Sequence, residues 1–83
     1  MKIRYFAWLA DCVGCKEEEL TLPAEVSNVA MLIDWLSARG PRHASAFEFI
    51  ETSKVAVNQV IAQNSDPIKD DDEVMFIPPI AGG

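Results

Sequence analysis

Three observations predict an α+β fold in which a small sheet lays one face on helices. Short runs with a two-residue apolar period stand at both ends of the chain, helical periodicity occupies the middle, and turn-forming residues separate them. The length, 83 residues, leaves room for one domain. We place that domain at residues 1–79 and a flexible C-terminal tail at 80–83.

Lys2 to Leu9 reads as the first strand. Ile3, Tyr5, Ala7 and Leu9 fall on one face, and Lys2, Arg4, Phe6 and Trp8 on the other. After a segment with Gly14, Glu18 to Leu22 gives a second strand with Leu20 and Leu22 inward, ended by Pro23. The opening strands are close enough to be antiparallel neighbours. Val29 to Arg39 carries the strongest periodic signal, with Val29, Leu32, Ile33 and Leu36 at i, i+3, i+4 and i+7. Asn28 or Ser27 is its N-cap and Gly40 its stop. Pro41 opens a second helix, because its missing N–H is not needed there. Ala44, Phe47 and Ile50 form the buried side of that helix. Val55 to Gln59 is a strand with Val55 and Val57 inward. Val60-Ile61-Ala62 continues it as a hairpin partner or a bent strand. Asn64-Ser65-Asp66-Pro67 and Asp70-Asp71-Asp72 are turns. Glu73 to Ile77 is the last strand, with Val74 and Phe76 on one face and Glu73, Met75 and Ile77 on the other. Pro78-Pro79 ends it.

Composition narrows the function. Seven Lys and Arg against thirteen Asp and Glu give a net charge of −6, which argues against nucleic acid and against an anionic membrane surface. No apolar stretch is long enough to span a bilayer. The N-terminus carries no secretion signal, and two cysteines are too few for a secreted disulfide framework, so a cytoplasmic location is expected. A core this small leaves little room for a deep substrate pocket. The expectation is a module that works with a partner.

Four features could carry chemistry. The first is the C-terminus, where a core strand runs out through Pro78-Pro79 to Gly82-Gly83. Proline holds the exit extended, and side-chain-free glycine can thread a narrow channel and offer an unhindered carboxylate. Adenylation makes such a carboxylate an acyl electrophile. A frayed end is the ordinary reading of a terminal Gly-Gly, and the strand and prolines before it favour the functional one. The second is Cys12-Val13-Gly14-Cys15, a CxxC that could be a redox pair or half a zinc site. No second cysteine pair exists and His43 alone cannot complete a zinc site, so two incidental thiols are expected and no metal. The third is a solvent-facing patch of Phe6, Trp8, Met75 and Ile77, if the first and last strands are neighbours. The fourth, the acidic run Asp70 to Glu73, lacks the ligand spacing of a calcium loop and reads as a solvated turn. His43 has no nucleophile beside it in the sequence.

Asp72-Glu73-Val74 and Phe76-Ile77-Pro78-Pro79-Ile80-Ala81-Gly82-Gly83, with the strand Val55-Ala56-Val57-Asn58-Gln59, the turn Pro67-Ile68-Lys69-Asp70 and the N-terminal Phe6-Ala7 and Gly14, resemble the sulfur-carrier subunits of molybdopterin synthase. The resemblance spans nearly the whole chain and is weakest between Cys15 and Pro23. It implies a β-grasp, ubiquitin-like fold and a non-catalytic carrier role. Gly83 would be adenylated with ATP by a separate activating enzyme, converted to a thiocarboxylate, and inserted into the large subunit, which holds the active site. There it would give sulfur to cyclic pyranopterin monophosphate, twice per dithiolene, within a heterotetramer. No cofactor would be bound by this chain itself. Carried over by position, Gly83 bears the sulfur and Gly82 is its flexible neighbour. Phe6, Ile61 and Ile77 meet the large subunit, and Pro78, Pro79, Ile80 and Ala81 enter with the tail. The family's usual glycine in the last turn is Asp71 here, which requires a left-handed Asp or a different turn. The frequent arginine after the first strand is Ala10 here. A thiamine-pathway sulfur carrier, a protein modifier conjugated through Gly83, and an interaction module with an inert tail are the alternatives. The insert from Pro41 to Glu51 disfavours the first.

Overall fold

The computed structural model describes residues 1–48, 50 and 53–79. The elements follow as β1 (Lys2–Tyr5), α1 (Trp8–Val13), β2 (Glu17–Glu19), α2 (Val29–Ser37), α3 (Pro41–Ala46), β3 (Lys54–Val57), β4 (Val60–Ala62) and β5 (Glu73–Ile77). The strands form one mixed sheet of order β2-β1-β5-β3-β4. β1 lies antiparallel to β2 and parallel to β5, and β3 is antiparallel to both β4 and β5. This is the β-grasp arrangement, with the helices on one face only.

Alternation decides which face they cover. Ile3 and Tyr5 on β1, Val55 on β3 and Val74 and Phe76 on β5 are buried against Leu9, Val13, Val29, Leu32, Leu36 and Phe47. Phe76 is the largest fully buried side chain among the described residues. It stacks on Tyr5 at 6.0 Å and meets Phe47 edge-on at 4.9 Å, offset geometries that aromatic quadrupoles favour. Burying a side chain of this size stabilises by about 1.5–3 kcal/mol. Because Val74 and Phe76 point in, Met75 and Ile77 must point out.

Helix α2 begins where its cap predicts. The Asn28 side chain accepts a hydrogen bond from the Met31 N–H at 2.8 Å, satisfying one orphan donor of the first turn. Pro41 opens α3, and Ala46 and Phe47 are buried while Ala44 is exposed, so the expected buried position at Ala44 is corrected. The short α3 is tied down by its own polar side chains. Arg42 donates to the carbonyls of Cys12 (3.1 Å) and Asp11 (3.2 Å) at the end of α1. Its guanidinium lies against Gly14, where an added Cβ would sit only 2.8 Å from it and where φ is +98°. His43 meets Glu18 at 2.8 Å.

Two further expectations are corrected. The first strand stops at Tyr5 rather than Leu9. The chain turns at Ala7, whose φ is +53°, and Leu9 and Val13 then bury one face of α1 at helical rather than strand spacing. The second strand is Glu17–Glu19, shifted upstream, and Leu20 and Leu22 pack on the core from outside it. The hairpin reading of Val60–Ala62 holds. Asn58 and Gln59 both have positive φ (+51° and +70°), the turn geometry that matches strand twist. Asp71 is not among the positive-φ residues, so it does not take the left-handed conformation.

Candidate functional site

The helix-free face of the sheet is the surface that requires explanation. Cross-strand register lines up Glu17, Arg4, Met75, Ala56 and Ile61 in one row across all five strands. The row below is Glu19, Lys2 and Glu73, and Ile77 stands opposite Lys54 above. Phe6 continues the β1 ladder, donating its N–H to the Phe76 carbonyl at 3.1 Å. Its ring lies on the outer face, because the Arg4 guanidinium sits over it at 5.3 Å. The face is therefore charged at the end where β1 and β5 begin and apolar at the end where they finish.

Phe6 is 36% exposed and Ile61 60% exposed, large values for apolar side chains on a sheet. Met75 and Ile77 are half-buried, and Ala56 is covered between its ladder neighbours Met75 and Ile61. The patch thus includes Phe6, Met75 and Ile77, as alternation predicts. Trp8 does not belong to the sheet face, since it is the first residue of α1. Ile61, reached from the sequence only through resemblance, joins the patch through β4. Pro78 is buried and Pro79 exposed. Ile80, Ala81, Gly82 and Gly83 lie outside the described residues, and so does the tail at 80–83.

A side-chain clasp fixes the strand that leads to the tail. Asn58 donates through Nδ2 to Asp72 (2.9 Å) and accepts the Glu73 N–H (3.0 Å), while its own N–H donates to the Glu73 carbonyl (2.8 Å). The Asp72 carboxylate also accepts from the Lys69 N–H at 2.8 Å, and its carbonyl accepts from the Lys2 N–H. Asp72 is 8% exposed. The acidic run is therefore not wholly a solvated turn, for its third member is a structural acceptor. Local sequence pattern gives no signal for it, because Asn58 and Asp72 meet across a long separation in the chain.

Nothing else on the chain assembles a reaction centre among the described residues. Cys12 and Cys15 are free thiols, both half-buried. Burial, and then the Glu18 carboxylate, push the Cys15 thiol upward, away from the reactive thiolate. No group of three or more His, Cys, Asp and Glu is placed to hold a metal ion. No helix is long and apolar enough to cross a membrane. His43 serves the Glu18 cluster. Glu18 receives Tyr5 Oη (2.7 Å), His43 Nε2 (2.8 Å) and Arg39 (3.0 Å). Burial alone would raise its pKa, but the bonds from His43 and Tyr5 and the Arg39 charge hold it below the usual carboxylate range. Burial and the Glu18 bond push the Tyr5 phenol far up. The groove between α2 and β3–β4, about 570 Å³, is open to solvent, and among the described residues its charged lining is Asp34 and Lys54.

Comparison with known proteins agrees with the geometry. Residues 3–83 match the ThiS family model. The molybdopterin synthase sulfur carrier subunit of Escherichia coli is 34% identical over 85 aligned positions, covering 100% of this chain and 99% of its own. The protein of the same description from Chlamydomonas reinhardtii is 31% identical, covering 100% and 98%. A solved structure from Pyrococcus furiosus, provisionally described as subunit 1 of molybdopterin converting factor, superposes with a TM-score of 0.76 at 30% identity and 95% coverage of each chain.

Proposed function

The chain belongs to the ThiS family, and from that premise we propose that it is the cytoplasmic sulfur-carrier subunit of a molybdopterin synthase. One observation carries the reading. Strand β5 places Met75 and Ile77 on an uncovered apolar face, and in the sequence Gly82-Gly83 follows within a few residues of its end.

The chemistry divides between partners. An adenylating enzyme joins the Gly83 carboxylate to AMP, with pyrophosphate leaving. A persulfide donor attacks the activated carbonyl with its outer sulfur and AMP leaves, and a dithiol reductant then cleaves the acyl disulfide, becoming a disulfide itself and releasing the donor thiol and the Gly83 thiocarboxylate. The sheet face then docks on the large subunit, with Phe6, Ile61 and Ile77 at the contact. Pro78 and Pro79 aim Ile80, Ala81, Gly82 and Gly83 into the large subunit's active site. Sulfur passes to cyclic pyranopterin monophosphate and the carrier returns as a carboxylate. In this reading the large subunit supplies the acid–base groups and this chain acts as carrier. The helix α3 insert supports the pterin reading over a thiamine-pathway carrier, because it is locked to α1 and β2 through Arg42 and His43 and is integral to the domain.

Intact-mass measurement after incubation with the cognate adenylating enzyme, ATP and a sulfur donor tests the reading. One oxygen replaced by sulfur at Gly83 is expected. An unchanged mass, with adenylating activity demonstrated, would overturn it.

A further inference from the structure

Arg4 stands on the helix-free face between Glu17 on edge strand β2 and Met75 on central strand β5, and has no anionic partner among the described residues. Among the described residues, the ion pairs are Lys2 with Glu17 (3.6 Å), Arg39 and His43 with Glu18, and the N-terminal ammonium with Asp70. Glu17 is the direct ladder neighbour of Arg4, yet it pairs diagonally with Lys2. The Arg4 guanidinium instead lies on the Phe6 ring, with Met75 opposite it in the ladder. The chain carries thirteen acidic residues and a net charge of −6, and still leaves this cation beside the exposed Phe6 ring.

That placement has a consequence once the face is covered. A partner surface pressed on Phe6, Met75 and Ile77 strips water from the Arg4 guanidinium at the same time. Burying a guanidinium without an anion costs far more than the ring contact returns. A carboxylate meets the planar fork with two parallel hydrogen bonds, and the Phe6 ring already holds that fork in place. We propose that the docking surface of the partner presents an Asp or Glu side chain to Arg4, and that this pair sets the register in which the apolar patch is seated. The inference rests on the carrier reading, in which the large synthase subunit is that partner. Apolar contact alone allows several sliding registers, whereas a buried bidentate pair allows one, and the tail needs one register to reach its target.

The test is calorimetric binding of the chain to the cognate large subunit, with Arg4→Met and Arg4→Lys beside the unaltered protein. Methionine keeps the stem and its apolar contacts, and circular dichroism checks that each variant is folded. Truncating one side of a buried pair is expected to weaken binding by about thirtyfold or more in Arg4→Met. Arg4→Lys should recover part of the loss, and raising salt should weaken the unaltered complex more than the Met variant. Arg4→Glu should be restored by reversing one carboxylate on the large subunit and not by reversing others. Arg4→Met binding as tightly as the unaltered chain would overturn this inference alone, since Arg4 would then be satisfied by solvent or by Glu17. No binding by the unaltered chain would overturn the carrier reading and this inference with it.

Discussion

Replacing Asn58 by Ala should be among the most damaging single changes at an exposed position. Asn58 sits at φ +51°, where its side chain accepts the Glu73 N–H at 3.0 Å and donates to the Asp72 carboxylate at 2.9 Å. A neutral bond of this kind contributes about 1 kcal/mol and one to a charged group about 1.5–3 kcal/mol. Alanine in the left-handed region adds roughly 1 kcal/mol of strain. Partial exposure of the clasp puts the expected loss near the low end of the sum, about 3 kcal/mol. In a domain this small that lowers Tm by roughly 12–24 °C. Asn58→Gly removes the same bonds without the strain, so it should lose about 2 kcal/mol, and the Ala–Gly difference isolates the backbone cost. Urea unfolding followed by tryptophan fluorescence gives both values. A double-mutant cycle with Asp72→Ala should show coupling above about 1 kcal/mol. Losses below about 1 kcal/mol for both single variants, or additive effects in the cycle, would refute the clasp.

Gln59 shares the turn at φ +70°, so Gln59→Gly should stabilise by about 0.5–1 kcal/mol in the same unfolding assay, because glycine is the residue this turn prefers. Ala7 at φ +53° and ψ −134° should respond in the same direction to Ala7→Gly. Glu18, held below its ordinary pKa, contributes stability that is present above the unfolded carboxylate value and lost as pH falls through the lower folded one. Stability measured from neutral pH down past about 4.3 should therefore drop on the acid side, and Glu18→Gln should flatten that limb. Ile61→Asp should leave the thermal transition within a few degrees, since Ile61 is 60% exposed, while reducing binding to the large subunit at least tenfold. An unchanged affinity would remove β4 from the docking surface.

The sheet is legible in the sequence where side chains alternate cleanly. Val74 and Phe76 inward, Met75 and Ile77 outward, and the α2 stripe all follow from periodicity, because burying one face outweighs every other preference at those positions. The first strand reads too long because Leu9 fits the two-residue period by coincidence. It is buried from a helix that starts after a positive-φ Ala7, and alanine gives no warning of that conformation. The Glu18 cluster and the Asn58–Asp72 clasp are invisible to local pattern, since both join residues distant in the chain. Of the site, Phe6 and Ile77 are reachable by alternation. Arg4 is not, because its significance lies in the partner it lacks and in the neighbour that Glu17 meets instead.

Sulfur transfer by this chain can be measured in a reconstituted reaction. The chain, loaded as the Gly83 thiocarboxylate, is mixed with its large subunit and cyclic pyranopterin monophosphate, and the dithiolene product is quantified against carrier consumed. The carrier account predicts product with two loaded chains used for each molecule formed, and none from the unloaded chain or from a chain lacking Gly83. No product from the loaded chain with a competent large subunit, or equal product from the unloaded chain, would contradict it.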